Sequence, residues 1–199
     1  MAKRESTFAN MVVTLFLVAA AASFTLATVY NLTKEPIERA REATRQAAIS
    51  LVLPDFDELR SLNVMPVTGS DSLGFNIAYK DGELVGIAIA TYTRMGYSGD
   101  IRAMVGFTPE GTIIDVVHLS HAETPGLGDK IEKGKSSWST DQFAGFDPRE
   151  QSLKLKTDGG HIDGITAATI TARAYCDAID RAFQTLIANK ESIINKEGE

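Results

Sequence analysis

The pattern of hydrophobic and polar positions changes character three times along this chain. Residues 8–30 form a run of 23 residues without an acidic or basic side chain, rich in Val, Leu, Ala, Phe and Thr. As a helix it extends about 34 Å, enough for a hydrocarbon core of about 30 Å. Lys3 and Arg4 precede it as in a signal peptide. The run is nevertheless longer than a secretory apolar core of roughly 7–15 residues, and it ends at Tyr30-Asn31 without a small-x-small cleavage site. A retained single span is expected. Beyond it, Pro36 suits a first helical turn, and Ile37, Ala40, Ala43, Ala47 and Leu51 make a narrow apolar stripe. That stripe predicts a connector helix over 31–53. Residues 54–73, with their Pro, Asp, Ser and Gly, read as a loop with little regular structure.

The period then shortens to that of strands. Residues 75–79 and 84–93 flank Asp81-Gly82, a favoured hairpin turn, and residues 101–107 and 112–119 flank Pro109-Glu110-Gly111. Residues 127–133 predict a short helix, and 152–156 a short strand with Lys154 and Lys156 on one face. Trp138 and Phe143 read as core plugs or loop anchors. Tyr175, Ile179, Phe183 and Leu186 follow at steps of four, four and three, one buried helical face running to about Ala188. The expected fold class is α+β: an N-terminal transmembrane helix, then an antiparallel sheet with a C-terminal packing helix. The implied divisions are a tail at 1–7, a span at 8–30, a connector at 31–53, a domain at 54–190 and a polar tail at 191–199.

Composition narrows the chemistry. The chain has 199 residues, is 44% hydrophobic and carries a formal net charge of −6, with no basic stripe interleaved with aromatics; nucleic acid is not an expected partner. A single cysteine, Cys176, excludes an internal disulfide and reads as a buried, inert thiol. No Cys cluster suits an iron–sulfur centre, and no Walker-type loop is present. His118, His121 and His161 show no pairing with carboxylates at metal-ligand spacing, so no metal is expected. Any redox cofactor has to be organic.

Three segments carry candidate chemistry. Residues 163–171 read Asp-Gly-Ile-Thr-Ala-Ala-Thr-Ile-Thr and open the C-terminal helix. There the unpaired backbone N–H groups and the positive end of the helix dipole suit a phosphate, and Ala167 and Ala168 add little bulk. The plainer reading is a helix cap by Asp163 or Thr166. His121-Ala122-Glu123-Thr124-Pro125-Gly126-Leu127-Gly128 contains the Pro-Gly pair of a type II turn. Gly96-Tyr97-Ser98-Gly99-Asp100 is a glycine-flanked turn.

Together, in this order, the three segments resemble the FMN-binding domain family, over roughly residues 70–190. The first is similar to that family's flavinylation motif, Asp, two variable residues, Ser or Thr, Gly, Ala, Thr, whose last Thr is esterified to the phosphate of FMN. The resemblance implies covalent FMN on Thr169, with Asp163, Thr166, Ala167 and Ala168 around the phosphate. It also implies that Glu123, Thr124, Leu127 and Gly128, with Tyr97 and Ser98, line the cofactor. One departure is visible: the family's Gly falls on Ala167, a poor exchange if the backbone there needs a positive φ.

No acid–base pair for an organic substrate is evident, so no catalytic residue is assigned. Within the family, the size, single span and Glu-Thr-Pro-Gly-Leu-Gly loop are most similar to the G-type subunits of Rnf complexes, which couple ferredoxin:NAD electron transfer to ion movement. The homologous C subunits of sodium-translocating NADH:quinone oxidoreductases are the alternative, and a membrane-anchored scaffold without redox function is another. The resemblance implies an electron-transfer subunit of a larger enzyme, not catalytic alone. Its partners would be the other membrane and soluble subunits, a flavin transferase for maturation, and lipid. It places the flavin domain on the extracytoplasmic side of the cytoplasmic membrane, although Lys34, Arg39, Arg41 and Arg45 leave the positive-inside rule without support for that side.

Overall fold

A computed structural model describes residues 7–194. Helix α1 (Phe8–Val52) is continuous for 45 residues and carries Pro36 in its interior, where a first helical turn was expected. The chain divides into two compact units at Thr44/Arg45. In the first, the apolar side chains are exposed: Leu15 and Phe16, for example, are 72% and 70% accessible. The hydroxyls of Thr14, Thr25, Thr28 and Thr33 donate to carbonyls four residues back, at 2.7–2.9 Å. Such internal satisfaction lets a hydroxyl sit in hydrocarbon, where no water accepts its proton. Among the described residues this one helix is long and apolar enough to cross a membrane.

The second unit is a five-stranded antiparallel meander with a helix against it. Its strands are β1 (Glu58–Val64), β2 (Leu73–Lys80), β3 (Glu83–Thr93), β4 (Ile101–Phe107) and β5 (Ile113–Ser120), adjacent in chain order. Asp81 and Gly82 turn β2 into β3 with φ of 52° and 81°, the left-handed pair a type I′ hairpin requires. A short α2 (Trp138–Phe143) and the long α3 (Thr169–Ile194) complete the unit. The α+β architecture expected from the sequence is the one observed.

Alternation along β2 explains the two layers. Phe75 and Ile77 face a core that includes Ile87, Ile89, Val105, Phe107 and the α3 residues Tyr175, Ile179, Phe183 and Leu186. Ala78 on the opposite face, with Ala88 and Met104, packs against Ala48, Ile49, Val52 and Leu53. That second contact is very close. A Cβ on Gly106 would lie 1.9 Å from the Val52 carbonyl oxygen, so only glycine allows this approach. Polar Asn76, buried on the same face, donates to the Ala88 carbonyl and accepts from Ser61 and Arg45, leaving its amide satisfied.

Several expectations need correction. Residues 54–73 are not all loop: β1 lies within them, an edge strand whose Leu62 and Val64 face one core and Leu59 the other, among exposed Glu58, Arg60, Ser61 and Asn63. Its apolar positions are only half buried, so its pattern is faint. Residues 152–156 make no strand beyond a single bridge between Leu155 and Ile162, followed by a 3-10 turn, Lys156–Asp158. Helix α3 runs to Ile194, past the expected end near Ala188, and takes up the start of the tail assigned to 191–199. The remainder of that tail, 195–199, and most of the tail assigned to 1–7 lie outside the described residues. The helix expected over 127–133 is a shorter 3-10 turn, Gly128–Ile131. Phe143 is fully buried and Trp138 packs against it, as anticipated for plugs.

Candidate functional site

The start of α3 sits on an unusual piece of backbone. Ala168 N–H donates to the Ile165 carbonyl at 3.0 Å, a turn that is passed only because Ala167 takes φ +63°. A side chain in the left-handed region costs about 1–2 kcal/mol, which is why glycine is the easier occupant. Ala167 is exposed at the edge of the cleft. Replacing Ala167 with Gly should raise stability by about 0.5 kcal/mol, the relief of strain being partly offset by the looser unfolded chain. Denaturant midpoints of the two proteins measure it.

The first intrahelical bond of α3 runs from Ala172 N–H to the Ala168 carbonyl, 3.0 Å. The amides of Thr169, Ile170 and Thr171 therefore precede the hydrogen-bonded ladder and present the positive helix end. They border an open cleft of about 540 Å³. Its walls are Tyr97, the Glu123, Thr124, Leu127 and Gly128 loop, and Ala167 to Thr171. Segments about 25 and 40 residues apart in sequence thus meet at one place. Thr169 is exposed at the helix start, while Thr171 is turned inward and buried.

The loop has the turn foreseen for it: Pro125 is followed by Gly126 at φ +78°, and Leu127 N–H donates to the Thr124 carbonyl at 3.2 Å. Glu123 beside it is 5% exposed. One of its oxygens accepts from Ser98 N–H at 3.0 Å and the other from the Thr171 hydroxyl at 2.5 Å. Ser98 itself contributes a backbone amide to Glu123 and is not among the walls of the cleft.

Asp163 and Thr166 are placed elsewhere. They line a separate depression with Lys130, Trp138 and Gln142. Asp163 caps no helix: its carboxylate pairs with Lys156 at 2.7 Å and its carbonyl accepts from Trp138 Nε1–H at 2.6 Å. Lys154 faces a third depression, with Asp158 and Arg173. Neither lysine of the 152–156 segment is thus among the residues of the cleft. Ile170 and Thr171 line the cleft without having been assigned from sequence, and Gly96 supports it from outside its walls. A Cβ on Gly96 would lie 2.2 Å from the Gly99 carbonyl and 2.8 Å from Glu123 Oε1, so the glycine signal was visible but its reason was not.

Folding also brings together His118, His121 and Glu132, whose ligand-type atoms lie within 4.8 Å of one another. Spacing in the sequence hid this cluster, because its parts come from β5, the residue after it and the residue after the 3-10 turn. Hydrogen bonds engage His121, whereas His118 Nδ1 is buried without a partner and its Nε2 stands 3.9 Å from Glu132. His121 Nδ1 accepts from Glu123 N–H at 3.1 Å, which leaves the ring proton on Nε2, 3.0 Å from Glu132 Oε1.

Burial holds the neighbouring His118 imidazole below its ordinary pKa; Glu132 opposes the shift and His121 adds to it. A neutral native imidazole means that the unfolded chain protonates first as pH falls. His118 therefore contributes stability above about pH 6.5 and loses it on acidification. Melting temperatures of the detergent-solubilised chain should fall between pH 7.5 and 5.5, and less steeply for His118→Asn. Cys176, 3% exposed within α3, has its thiol pushed up to about 12 by burial, in keeping with an inert side chain.

Comparison with known proteins bears directly on this arrangement. The FMN-binding domain family matches residues 96–184, from the Gly96 turn through most of α3. The G-type subunit of an ion-translocating oxidoreductase complex from Shewanella piezotolerans is 35% identical over 181 residues, covering 85% of each chain. The chain belongs to this family of G-type subunits. Members from Shewanella loihica and Vibrio atlanticus are 34% and 33% identical, over 181 and 186 residues, covering 86% and 88% of this chain and 85% and 88% of theirs. In every case the aligned length far exceeds the matched FMN-binding domain, so the kinship with these subunits takes in residues outside it.

Proposed function

We propose that this protein is a membrane-anchored, FMN-carrying subunit of an ion-translocating oxidoreductase complex, with FMN held as a phosphoester of Thr169. The observation that carries the reading is that exposed Thr169 lines the cleft at the amide end of α3, two residues after a left-handed Ala167. The residues present fit the group. The cleft has the size of small-ligand sites, roughly 300–1,000 Å³. Its phosphate end offers three amides ahead of the helical ladder. Bound there, FMN supplies transfer of one or two electrons.

The chain's own residues hold and orient. Thr169 is an attachment point. The amides of Thr169, Ile170 and Thr171 would neutralise the phosphodiester in place of a cation. Leu127, Ile170 and Tyr97 offer exposed apolar surface beside the opening, suited to a flat ring. A tether matters where free flavin is scarce, since a dissociable cofactor would be lost to dilution. On this reading α1 anchors the chain in the cytoplasmic membrane with the FMN domain outside, and the chain hands electrons between neighbouring subunits of a ferredoxin:NAD complex. One span without an intramembrane ionisable residue offers no ion path.

The test is the intact mass of the denatured chain made with a flavin transferase, with peptide mapping of 163–171. An added FMN less one water on Thr169 is expected. An unmodified chain under those conditions would point to an anchored scaffold. Digestion of intact spheroplasts checks the side of the membrane: a protected domain would overturn export.

A further inference from the structure

Glu123 lines the cleft, where a cofactor ligand is looked for, yet its carboxylate is already engaged. Both oxygens face inward, one taking the Ser98 amide at 3.0 Å and the other the Thr171 hydroxyl at 2.5 Å. Its own amide donates to His121 Nδ1. Two glycines make room for it. A Cβ on Gly96 would come within 2.8 Å of Oε1, and one on Gly128 within 2.8 Å of Oε2. A buried carboxylate persists when hydrogen bonds and a helix N-terminus replace its water, and short charge-assisted bonds are the strong kind.

We infer that Glu123 is a positioning residue for flavin attachment: through Thr171 it fixes the first turn of α3 so that Thr169 presents its hydroxyl to the cleft. This rests on Thr169 being the attachment site. The geometry is that of a helix with 3.6 residues per turn, in which positions two apart point about 200° from each other. Pinning Thr171 inward turns Thr169 outward. The same carboxylate holds the 96–99 turn, which brings Tyr97 to the rim. One buried charge thereby joins all three motif segments.

The step served is a phosphoryl transfer. Thr169 Oγ1 bonds to the flavin-side phosphorus of a flavin dinucleotide, the phosphoanhydride bond breaks, a nucleoside monophosphate leaves, and the hydroxyl proton passes to solvent. No electron moves. A misplaced nucleophile slows such a step far more than it alters the fold.

The experiment follows the covalent mass with time for the full chain in detergent, with purified flavin transferase and flavin dinucleotide, beside thermal melts and amide exchange at Ser98. Thr171→Val, near in volume but without a donor, should melt cooperatively and gain flavin about tenfold more slowly or worse. Thr171→Ser should stay within about threefold of the parent, because it restores the donor. Glu123→Gln keeps the volume but cannot accept from both groups; it should be slowed, with faster exchange at Ser98. A folded Thr171→Val chain modified at the parental rate would overturn the assignment. So would loss of a cooperative melt in both Thr171→Val and Glu123→Gln, since the pair would then hold the fold and not the threonine. Thr169→Ala in the same assay separates the two readings: flavin retained there sinks the attachment site itself, whatever the clamp variants do.

Discussion

Thr169→Ala protein, co-produced with a flavin transferase, should come off a denaturing gel without flavin fluorescence, while the parent band glows. The expected change is complete, because no other atom replaces the hydroxyl oxygen that bonds to phosphorus. The fold should be untouched. Thr169 is exposed and precedes the helical ladder, so its truncation removes little packing, and alanine is the better helix former. Melting temperature should therefore shift by no more than about 2 °C, the scale of a surface substitution. Mass spectrometry of the purified chain provides the quantitative check. Denaturation-resistant flavin on the variant would move the site to Thr166 or Thr171. The structure weighs against both. Thr166 opens on a different depression, and the Thr171 hydroxyl is committed to Glu123.

Gly96→Ala should be the most damaging single change near the cleft. Its added methyl would lie 2.2 Å from the Gly99 carbonyl, 2.8 Å from a Glu123 oxygen and 3.0 Å from Ile101 Cγ1. The first contact is with backbone, which has no rotamer to escape into; the second is with a carboxylate held on both sides. A loss of about 3 kcal/mol is expected, the upper range for a single substitution that forces backbone to move. Urea unfolding followed by Trp138 fluorescence measures it cleanly, since the chain has one tryptophan and it packs against Phe143 and Tyr175. Covalent flavin should fall as well, because the displaced carboxylate no longer holds Thr171. A variant as stable as the parent would show that the 96–99 turn yields easily.

Much of the architecture could be read from periodicity because burial there is one-sided. The stripe of Tyr175, Ile179, Phe183 and Leu186 meets a single sheet face, and the hairpins announce themselves by turn chemistry at Asp81-Gly82. Edge strand β1 escaped because half its residues face water and the rest are only partly covered. The end of α1 was legible as helix, but its seat on the sheet escaped for another reason. A narrow alanine-rich stripe looks like a solvated spacer until one sees that Ala48, Ile49 and Val52 lie on a sheet face made of Ala78, Ala88 and Met104. Small side chains carry little hydrophobic signal, yet they permit the closest approach.

The same division holds at the candidate site. The residue order alone determined the apolar span, the Pro-Gly turn, and the small residues ahead of Thr169, since these are properties of neighbours along the chain. It showed too that alanine stands at 167, where the motif it resembles has glycine. Only the tertiary structure decided that Ala167 takes a positive φ, that Asp163 and Thr166 face away from the cleft, and that His118 and His121 meet Glu132. It alone gave Glu123 to Ser98 and Thr171. Hydrogen bonds and charge contacts act over about 3 Å between groups whose separation in sequence is arbitrary, so chain folding has to bring them within reach before their chemistry is defined.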